Sequence, residues 1–292
     1  MKVAGFTFIR NAITNDYPVV EAITSILPLC DEFIIAHGNS TDDTLKLLES
    51  INSPKIKIIE TTWDDEVREG GKTFALETDK AFKAISKDAD WAFYIQGDEL
   101  IHEKYHAEIK KEMEACLNDK NIEGLLFKYI HFYGSYDYVA VSRRWYRKEI
   151  RIVKNLEGIS SYRDAQGLRI DGRKIKVKEI EAYVYHYGWV KPPHGLNNKV
   201  RNFNKFYHED DWIETNIPKA QNFDYGNADE LKKFTGSHPI AIQQRITNTN
   251  WEFSIDPTLI KKKLSLRRRI LKLIEEKTGY RPFEYKNYNK IN

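Results

Sequence analysis

The first sixty residues of the chain repeat one unit three times. Val3 to Ile9 is an apolar run that stops at Arg10 and Asn11, and Val19 to Leu29 follows with Val20, Ile23 and Leu27 on one helical face. A second apolar run, Glu32 to Ala36, ends in His37-Gly38-Asn39-Ser40-Thr41-Asp42-Asp43. Helical spacing then resumes from Thr44 to Ile51, and Ile56 to Ile59 is a third strand. Strands alternating with helices in this order predict a parallel sheet covered on both faces, because parallel neighbours need crossovers and these helices supply them. Ligands of such sheets bind beyond the carboxyl ends of the strands. Arg10, Asn11 and the His37 to Asp43 loop fall at that edge.

Gly70-Gly71-Lys72 opens an amphipathic helix expected to reach about Ser86, and Trp91 to Ile95 is a fourth strand that breaks off at Gln96-Gly97-Asp98-Glu99. From Gly124 to about Tyr187 the pattern turns β-rich, with aromatic and β-branched runs at Leu125 to Tyr133, Ile150 to Val153 and Ala182 to Tyr187. After Pro192-Pro193 the chain is polar and aromatic. A last helix is predicted over about Thr258 to Lys277, with Ile260, Leu264, Leu271 and Ile274 in one stripe. These patterns imply an α/β domain over residues 1–225 and a C-terminal helical extension over 226–292.

Composition narrows the function classes. A hydrophobic share of 41% with 13% aromatics is enough to build a core, which excludes a disordered chain. Forty-six Lys and Arg against 43 Asp and Glu leave a formal charge of +3, so no overall field points to nucleic acid. Cys30 and Cys116 form neither a disulfide framework nor a metal motif, which fits a reducing compartment. The opening apolar stretch is too short for a signal sequence, and no run approaches the roughly 20 residues of a membrane span. The expectation is a soluble, cytoplasmic protein. The clusters Lys261-Lys262-Lys263 and Arg267-Arg268-Arg269 read either as the solvated face of a docked helix or as a peripheral contact with the inner face of the cell membrane.

The strongest chemical signal is Trp91 to Glu99, since a buried strand delivering carboxylates into a cleft is what a hard divalent cation requires. The plainer alternative is a solvated acidic turn. What separates the two is the order of the parts: Arg10-Asn11 at a strand end, the loop from Asn39 to Thr44, the Lys72 helix, then Asp98. Over roughly residues 1–190 this order resembles the nucleotide-sugar-binding half of glycosyltransferase family 2, an α/β fold of the GT-A type with a Rossmann-like, mostly parallel mixed sheet flanked by helices. The resemblance makes residues 1–122 the donor half and 123–225 the acceptor half.

In that family a short acidic motif after the fourth strand, usually Asp-x-Asp, holds a divalent metal on the donor diphosphate. Here the stretch is Gln96-Gly97-Asp98. Gln96 offers a neutral carbonyl in place of the first carboxylate, and Asp98 becomes the main anionic ligand. The resemblance implies Mn²⁺ or Mg²⁺ as cofactor, with His186 of Tyr185-His186-Tyr187 as a second ligand; a packed histidine satisfied by a carbonyl is the alternative. His37 stands where relatives often carry the aspartate that recognises the nucleobase. Glu99 is expected to anchor the loop rather than to bind metal through water.

Arg10, Asn11, His37, Asn39, Asp42, Lys72, Gln96 and Asp98 are the expected donor contacts, with Arg147 and Arg151 as further phosphate candidates. The resemblance implies Asp164 as general base, since it lies in the chain region where inverting relatives place their catalytic aspartate, and with it inversion at the anomeric carbon; a turn cap beside Gly167 is the alternative. Among the many aromatics after residue 129, Trp145 and Trp189 are expected to line an acceptor cleft, because sugar C–H bonds stack on ring faces. The resulting expectation is a metal-dependent glycosyltransferase of glycan or polysaccharide biosynthesis, moving a sugar from a nucleoside-diphosphate sugar to a hydroxyl of a glycan or lipid-linked acceptor. Two rivals are a nucleotidyltransferase, against which stands the lack of a glycine-rich basic loop after the first strand, and a sugar-binding module that has lost turnover.

Overall fold

Val3–Ile9 forms β1, whose alternation sends Val3 and Ile9 to one face of the sheet and Ala4 and Phe6 to the other. α1 (Val19–Ile26), β2 (Glu32–His37), α2 (Thr44–Glu49), β3 (Ile56–Glu60), α3 (Lys72–Lys83) and β4 (Trp91–Tyr94) follow. The first helix is three residues shorter than its apolar spacing suggests, because Pro28 tightens Leu27–Leu29 into a 3₁₀ turn. The structure is a computed structural model and describes residues 1–64, 66–67, 70–217, 230–253 and 265–291.

β5 (Glu99–Ile101), α4 (His106–Cys116), β6 (Gly124–Tyr133), β7 (Ser135–Ala140) and β8 (Lys148–Lys154) continue the chain. A small antiparallel sheet of β9 (Ile159–Tyr162), β10 (Gly167–Ile170) and β11 (Arg173–Lys174) comes next, and then the long β12 (Lys176–Trp189). α5 (Pro193–Asn204), α6 (Asp210–Asn216), β13 (Leu231–Lys233), α7 (Gln243–Thr247), α8 (Leu266–Thr278) and β14 (Asn289–Lys290) complete it. Among the described residues the main sheet runs β13-β7-β6-β8-β4-β1-β2-β3, with β12 beside β6, and with β5 and β14 on β12. β3, β2, β1 and β4 are parallel; β8 enters antiparallel between β4 and β6. This mixed, mostly parallel sheet flanked by helices, with a helix near the C-terminus, is the GT-A architecture that the resemblance implies.

The sheet divides the core in two. On one face Phe33, Trp91, Phe93 and Phe127 pack under Ile23 of α1 and Met113 of α4; on the other Phe6, Ala36 and Tyr94 pack under Phe74 and Phe82 of α3 and Leu168 of the small sheet. Burying a side chain of this size contributes about 1.5–3 kcal/mol, so both faces hold the strand ends rigidly where loops leave the sheet.

Residues after 226, expected as a helical extension, are partly built into this body: β13 and β14 join the main sheet, and Ile242 and Tyr288 are buried. The terminal helix is seen from Leu266; Lys261-Lys262-Lys263, Ile260 and Leu264 lie outside the described residues. α8 docks through ion pairs, Arg143 and Arg281 with Glu275 at 2.5 and 2.8 Å, and leaves Leu266, Ile270 and Leu273 exposed. Among the described residues no helix is long and apolar enough to cross a membrane.

One junction positions the site. β5 pairs antiparallel with β12 so that Glu99 faces His186, and the Tyr187 N–H donates to the Asp98 carbonyl at 2.8 Å. The loop leaving β4 is thereby sewn to the end of β12.

Candidate functional site

A cavity of about 460 Å³ opens at the carboxyl ends of β1 and β4. Its wall includes Arg10 and Asn11 from the end of β1, Gln96, Gly97 and Asp98 from the end of β4, and Asp164 from the β9–β10 turn. Trp63, Phe74 and Phe206 form an aromatic side: Phe74 lies 4.7 Å from Phe206 between ring centres and 5.8 Å from Trp63, and the Arg10 guanidinium stands over the Trp63 ring. The far wall is Lys199, Asn202 and Phe203 of α5, then Lys205 and Asp210.

Asp98 is almost buried, yet it reaches this cavity. Lys199 Nζ donates to its Oδ2 at 3.0 Å and to the Gly188 carbonyl at 2.8 Å. His186 Nε2 lies 3.8 Å from the same Oδ2. Burial by itself would raise the Asp98 carboxyl; the Lys199 ammonium, by its charge and its hydrogen bond, outweighs it and holds the group well below the usual carboxylate range. Burial would likewise lower Lys199, but Asp98 outweighs it and raises the ammonium. Gly188 sits at the centre: a methyl group on it would stand 2.5 Å from Asp98 Oδ2, 2.8 Å from His186 Nε2 and 2.9 Å from Lys199 Nζ. No larger residue leaves these three side chains room to converge.

The hydrogen bonds assign the imidazole protons. His131 Nε2 is 2.7 Å from the Tyr146 carbonyl, which can only accept, so the proton is on that nitrogen. Burial lowers His131 to about 3, so the ring is neutral and its Nδ1 is an acceptor. His186 Nδ1, 3.2 Å away, is therefore the donor. Burial also lowers His186, and its neutral ring turns the Nε2 lone pair toward Asp98 and Gly188.

Glu99 is fully buried and spent in structure. Its carboxylate accepts from Arg151 Nε and Nη2, each at 2.7 Å, and from the Tyr129 hydroxyl at 2.8 Å. It also accepts from the Gln96 N–H, which ties it to the Asp98 loop. Arg151, a phosphate candidate from sequence, is thus the counter-ion of that anchor, and Arg147 pairs with Glu284 at 2.8 Å instead. Gln96 directs its amide to the Ala165 carbonyl and the Tyr94 hydroxyl.

Asp164 projects from a turn whose flanking residues Arg163 and Ala165 both have left-handed backbone, with φ of 57° and 60°. Such conformations cost about 1–3 kcal/mol each in non-glycine residues and persist where the surroundings enforce them. Tyr207 donates its hydroxyl hydrogen to Asp164 Oδ2 at 2.7 Å. Gly71, left-handed at φ 72°, makes room: a methyl there would stand 2.7 Å from Asp164 Cβ.

The other expected contacts are placed elsewhere. His37 Nε2 is hydrogen-bonded to the Ser40 hydroxyl at 3.0 Å, and Ser40 Oγ also accepts from the Asn11 N–H. Asn39 Oδ1 accepts from the Trp63 N–H, and Asp42 accepts from the Thr14 N–H at 2.8 Å and from Thr44. His37, through Ser40, and Asp42 brace the β2 loop against the exit of β1, and Asn39 braces it against the segment after β3; none of the three is in the cavity wall. Lys72 is exposed at the start of α3. Trp189 stacks on Tyr133 at 5.8 Å and meets Trp145 edge-on at 6.0 Å. This aromatic cluster reaches the histidine pair through His131, which is 4.9 Å from Trp145, and lies outside the cavity wall.

Lys199, Asn202, Phe203, Lys205 and Phe206 were not singled out from sequence. Their signal is the spacing of 199, 202, 203 and 206 along one face of a helix that follows Pro192-Pro193.

The residues do not fit an Mg²⁺- or Mn²⁺-type ion held at Asp98 and His186. Such ions take six oxygen-rich ligands, with carboxylates opposing their charge. Here the Oδ2 of Asp98 already holds the Lys199 ammonium. The second nearby carboxylate, Glu99, is neutralised by Arg151. Among the described residues no group of three His, Cys, Asp or Glu side chains is arranged to hold a metal.

No family model matches the sequence, and no curated protein matches it. Solved structures with a similar fold include TarS of S. aureus, at 17% identity and a TM-score of 0.40 over 69% of this chain and 39% of that one. A second is 4-diphosphocytidyl-2C-methyl-D-erythritol synthase from Anaerococcus prevotii DSM 20548, at 13% identity and a TM-score of 0.39 over 65% and 89%. A third is glucosyl-3-phosphoglycerate synthase from Mycobacterium tuberculosis, crystallised with Mn²⁺, uridine diphosphate and phosphoglyceric acid, at 20% identity and a TM-score of 0.30 over 44% and 43%. The chain spans well under half the length of the first and the third.

Proposed function

We propose that the chain is a glycosyltransferase that moves a sugar from a nucleoside-diphosphate sugar to a hydroxyl group of a glycan or lipid-linked acceptor. The observation that carries this reading is the composition of one cavity at the carboxyl ends of β1 and β4. It holds three carboxylates, Asp98, Asp164 and Asp210, an aromatic side at Trp63, Phe74 and Phe206, and the cations Arg10, Lys199 and Lys205. Flat rings suit a base or a sugar face, and cations suit a diphosphate.

The chemistry follows from these positions. The acceptor oxygen attacks the anomeric carbon and forms the new glycosidic bond. The bond from that carbon to the diphosphate breaks, its electron pair leaving with the nucleoside diphosphate, and the acceptor proton passes to Asp164. A single displacement of this kind inverts the anomeric centre. Tyr207 fixes the Asp164 carboxylate by donating to Oδ2, and cations in the cavity oppose the charge gathering on the leaving group. The Mn²⁺ or Mg²⁺ that the resemblance implies finds no fitting donor set at Asp98 and His186, so no step is assigned to it.

The test is product identity. Incubation with a panel of nucleotide sugars and hydroxyl acceptors is expected to release nucleoside diphosphate and glycosylated acceptor, read by mass spectrometry. Release of pyrophosphate would instead identify a nucleotidyltransferase. Donor binding without turnover on any acceptor would identify a binding module.

A further inference from the structure

The geometry points to Lys199 as a built-in cation that takes the place of a divalent metal, so that this site grips the diphosphate of its donor without metal. The inference deepens the nucleotide-sugar reading and rests on it.

Two acceptors converge on one cation, a carboxylate oxygen of Asp98 and the Gly188 carbonyl, and the His186 Nε2 lone pair lies beside them, 3.8 Å from that carboxylate oxygen. The Lys199 ammonium occupies this place, donating at 3.0 Å to Asp98 and 2.8 Å to Gly188. Its side chain lies on the cavity wall and is 13% exposed, as sheltered as Asp98 at 12%. A lysine ammonium has three N–H donors, and those two bonds use two of them. The third is the one assigned to a diphosphate oxygen.

Sequence and structure agree on the charge arithmetic. Replacing the first carboxylate of the motif by Gln96 removes one negative charge, and a dication replaced by a lysine removes one positive charge. The net local charge is therefore the same as in a site with two carboxylates and a dication. The lysine is also held firmly: α5 starts at Pro193, four residues after β12 ends, so the strand that carries His186 and Gly188 leads straight into the helix that carries Lys199.

Binding without catalysis tests this. The wild-type chain is titrated calorimetrically with uridine, guanosine, cytidine, adenosine and thymidine diphosphates, once in EDTA and once with Mn²⁺. The same titrations are made on Lys199→Met and Lys199→Arg, with thermal melts as a folding control. The expected result is one or more diphosphates binding wild type with the same Kd, within about twofold, in both buffers. Lys199→Met should bind roughly thirtyfold more weakly in EDTA, the size of a lost charge-assisted hydrogen bond, and recover part of the loss with Mn²⁺, which can enter the vacated place. Lys199→Arg should stay within about tenfold of wild type.

Binding by wild type only when Mn²⁺ is present overturns the lysine assignment and leaves the nucleotide reading intact. Equal binding by wild type and a folded Lys199→Met overturns it too. If Lys199→Met fails to fold, the wild-type EDTA comparison still decides. No binding of any diphosphate in either buffer overturns both this inference and the transferase reading.

Discussion

Glu99 and Arg151 face each other through two 2.7 Å hydrogen bonds at the foot of the loop that carries Asp98, and both side chains are out of contact with water. Because the Gln96 N–H also bonds to Glu99, this buried pair sets the height at which Asp98 leaves the sheet. Removing one partner of a buried pair strands the other charge, at a cost of about 3–5 kcal/mol. Arg151→Met is therefore expected to lose about that much stability in urea unfolding, and the double variant Arg151→Met with Glu99→Leu to regain part of it. A loss under about 1 kcal/mol for the single variant would show that the pair does not brace the loop.

Gly188→Ala places a methyl group among Asp98, His186 and Lys199 at 2.5–2.9 Å. Over-packing of this kind costs about 1–3 kcal/mol, and here it falls on the side chains that face the ligand. Calorimetry should show nucleoside diphosphate affinity falling at least about tenfold while the chain still melts cooperatively. Unchanged affinity would place the ligand away from this cluster.

Asp164→Asn keeps the shape of the turn and removes the proton acceptor. Loss of a general base lowers turnover by about 10²–10⁴-fold, with donor affinity expected within about twofold of wild type. Tyr207→Phe, which only positions Asp164, should lower kcat less and leave KM for donor in place. Full activity in Asp164→Asn would assign the base to another group.

Lys191 supplies a pH prediction. It is 0% exposed, and burial, then Lys199, lower it from 10.5 to about 7. Between these two values the unfolded chain holds a proton that the folded chain has released, so the stability contributed by this residue rises as pH rises from about 7 to 10.5. Urea unfolding at pH 7.5 and pH 9 should differ by roughly 2 kcal/mol in favour of the higher pH, and the difference should vanish in Lys191→Met. A stability that falls over this range in wild type and in the variant alike would contradict the shift.

The sequence carried the elements whose signal is local. The strands ending at Arg10 and at Gln96 were legible from continuous apolar runs, and Asp98 from the break after Tyr94 and Ile95; all three residues line the cavity. Glu99 was ambiguous because an acidic turn and a buried anchor look alike until the partner, Arg151, 52 residues away, is in place. Lys199 was not legible for the same reason: its role comes from the pairing of β5 with β12 and from the helix that follows, which bring residue 199 to residue 98. Trp145 and Trp189 show the converse. Their composition suits a sugar platform, yet Tyr133 and His131 take up their ring faces.

The most direct test of the central claim, that the cavity between Asp98, Asp164 and α5 receives a nucleoside-diphosphate sugar, is a crystal structure grown with a nucleoside diphosphate in EDTA. The account predicts the terminal phosphate within about 3 Å of Lys199 Nζ, with the base or ribose against Trp63, Phe74 and Phe206. A nucleotide bound outside this cavity, or a Lys199 still engaged only by Asp98 and Gly188 with the phosphates turned away, would contradict it.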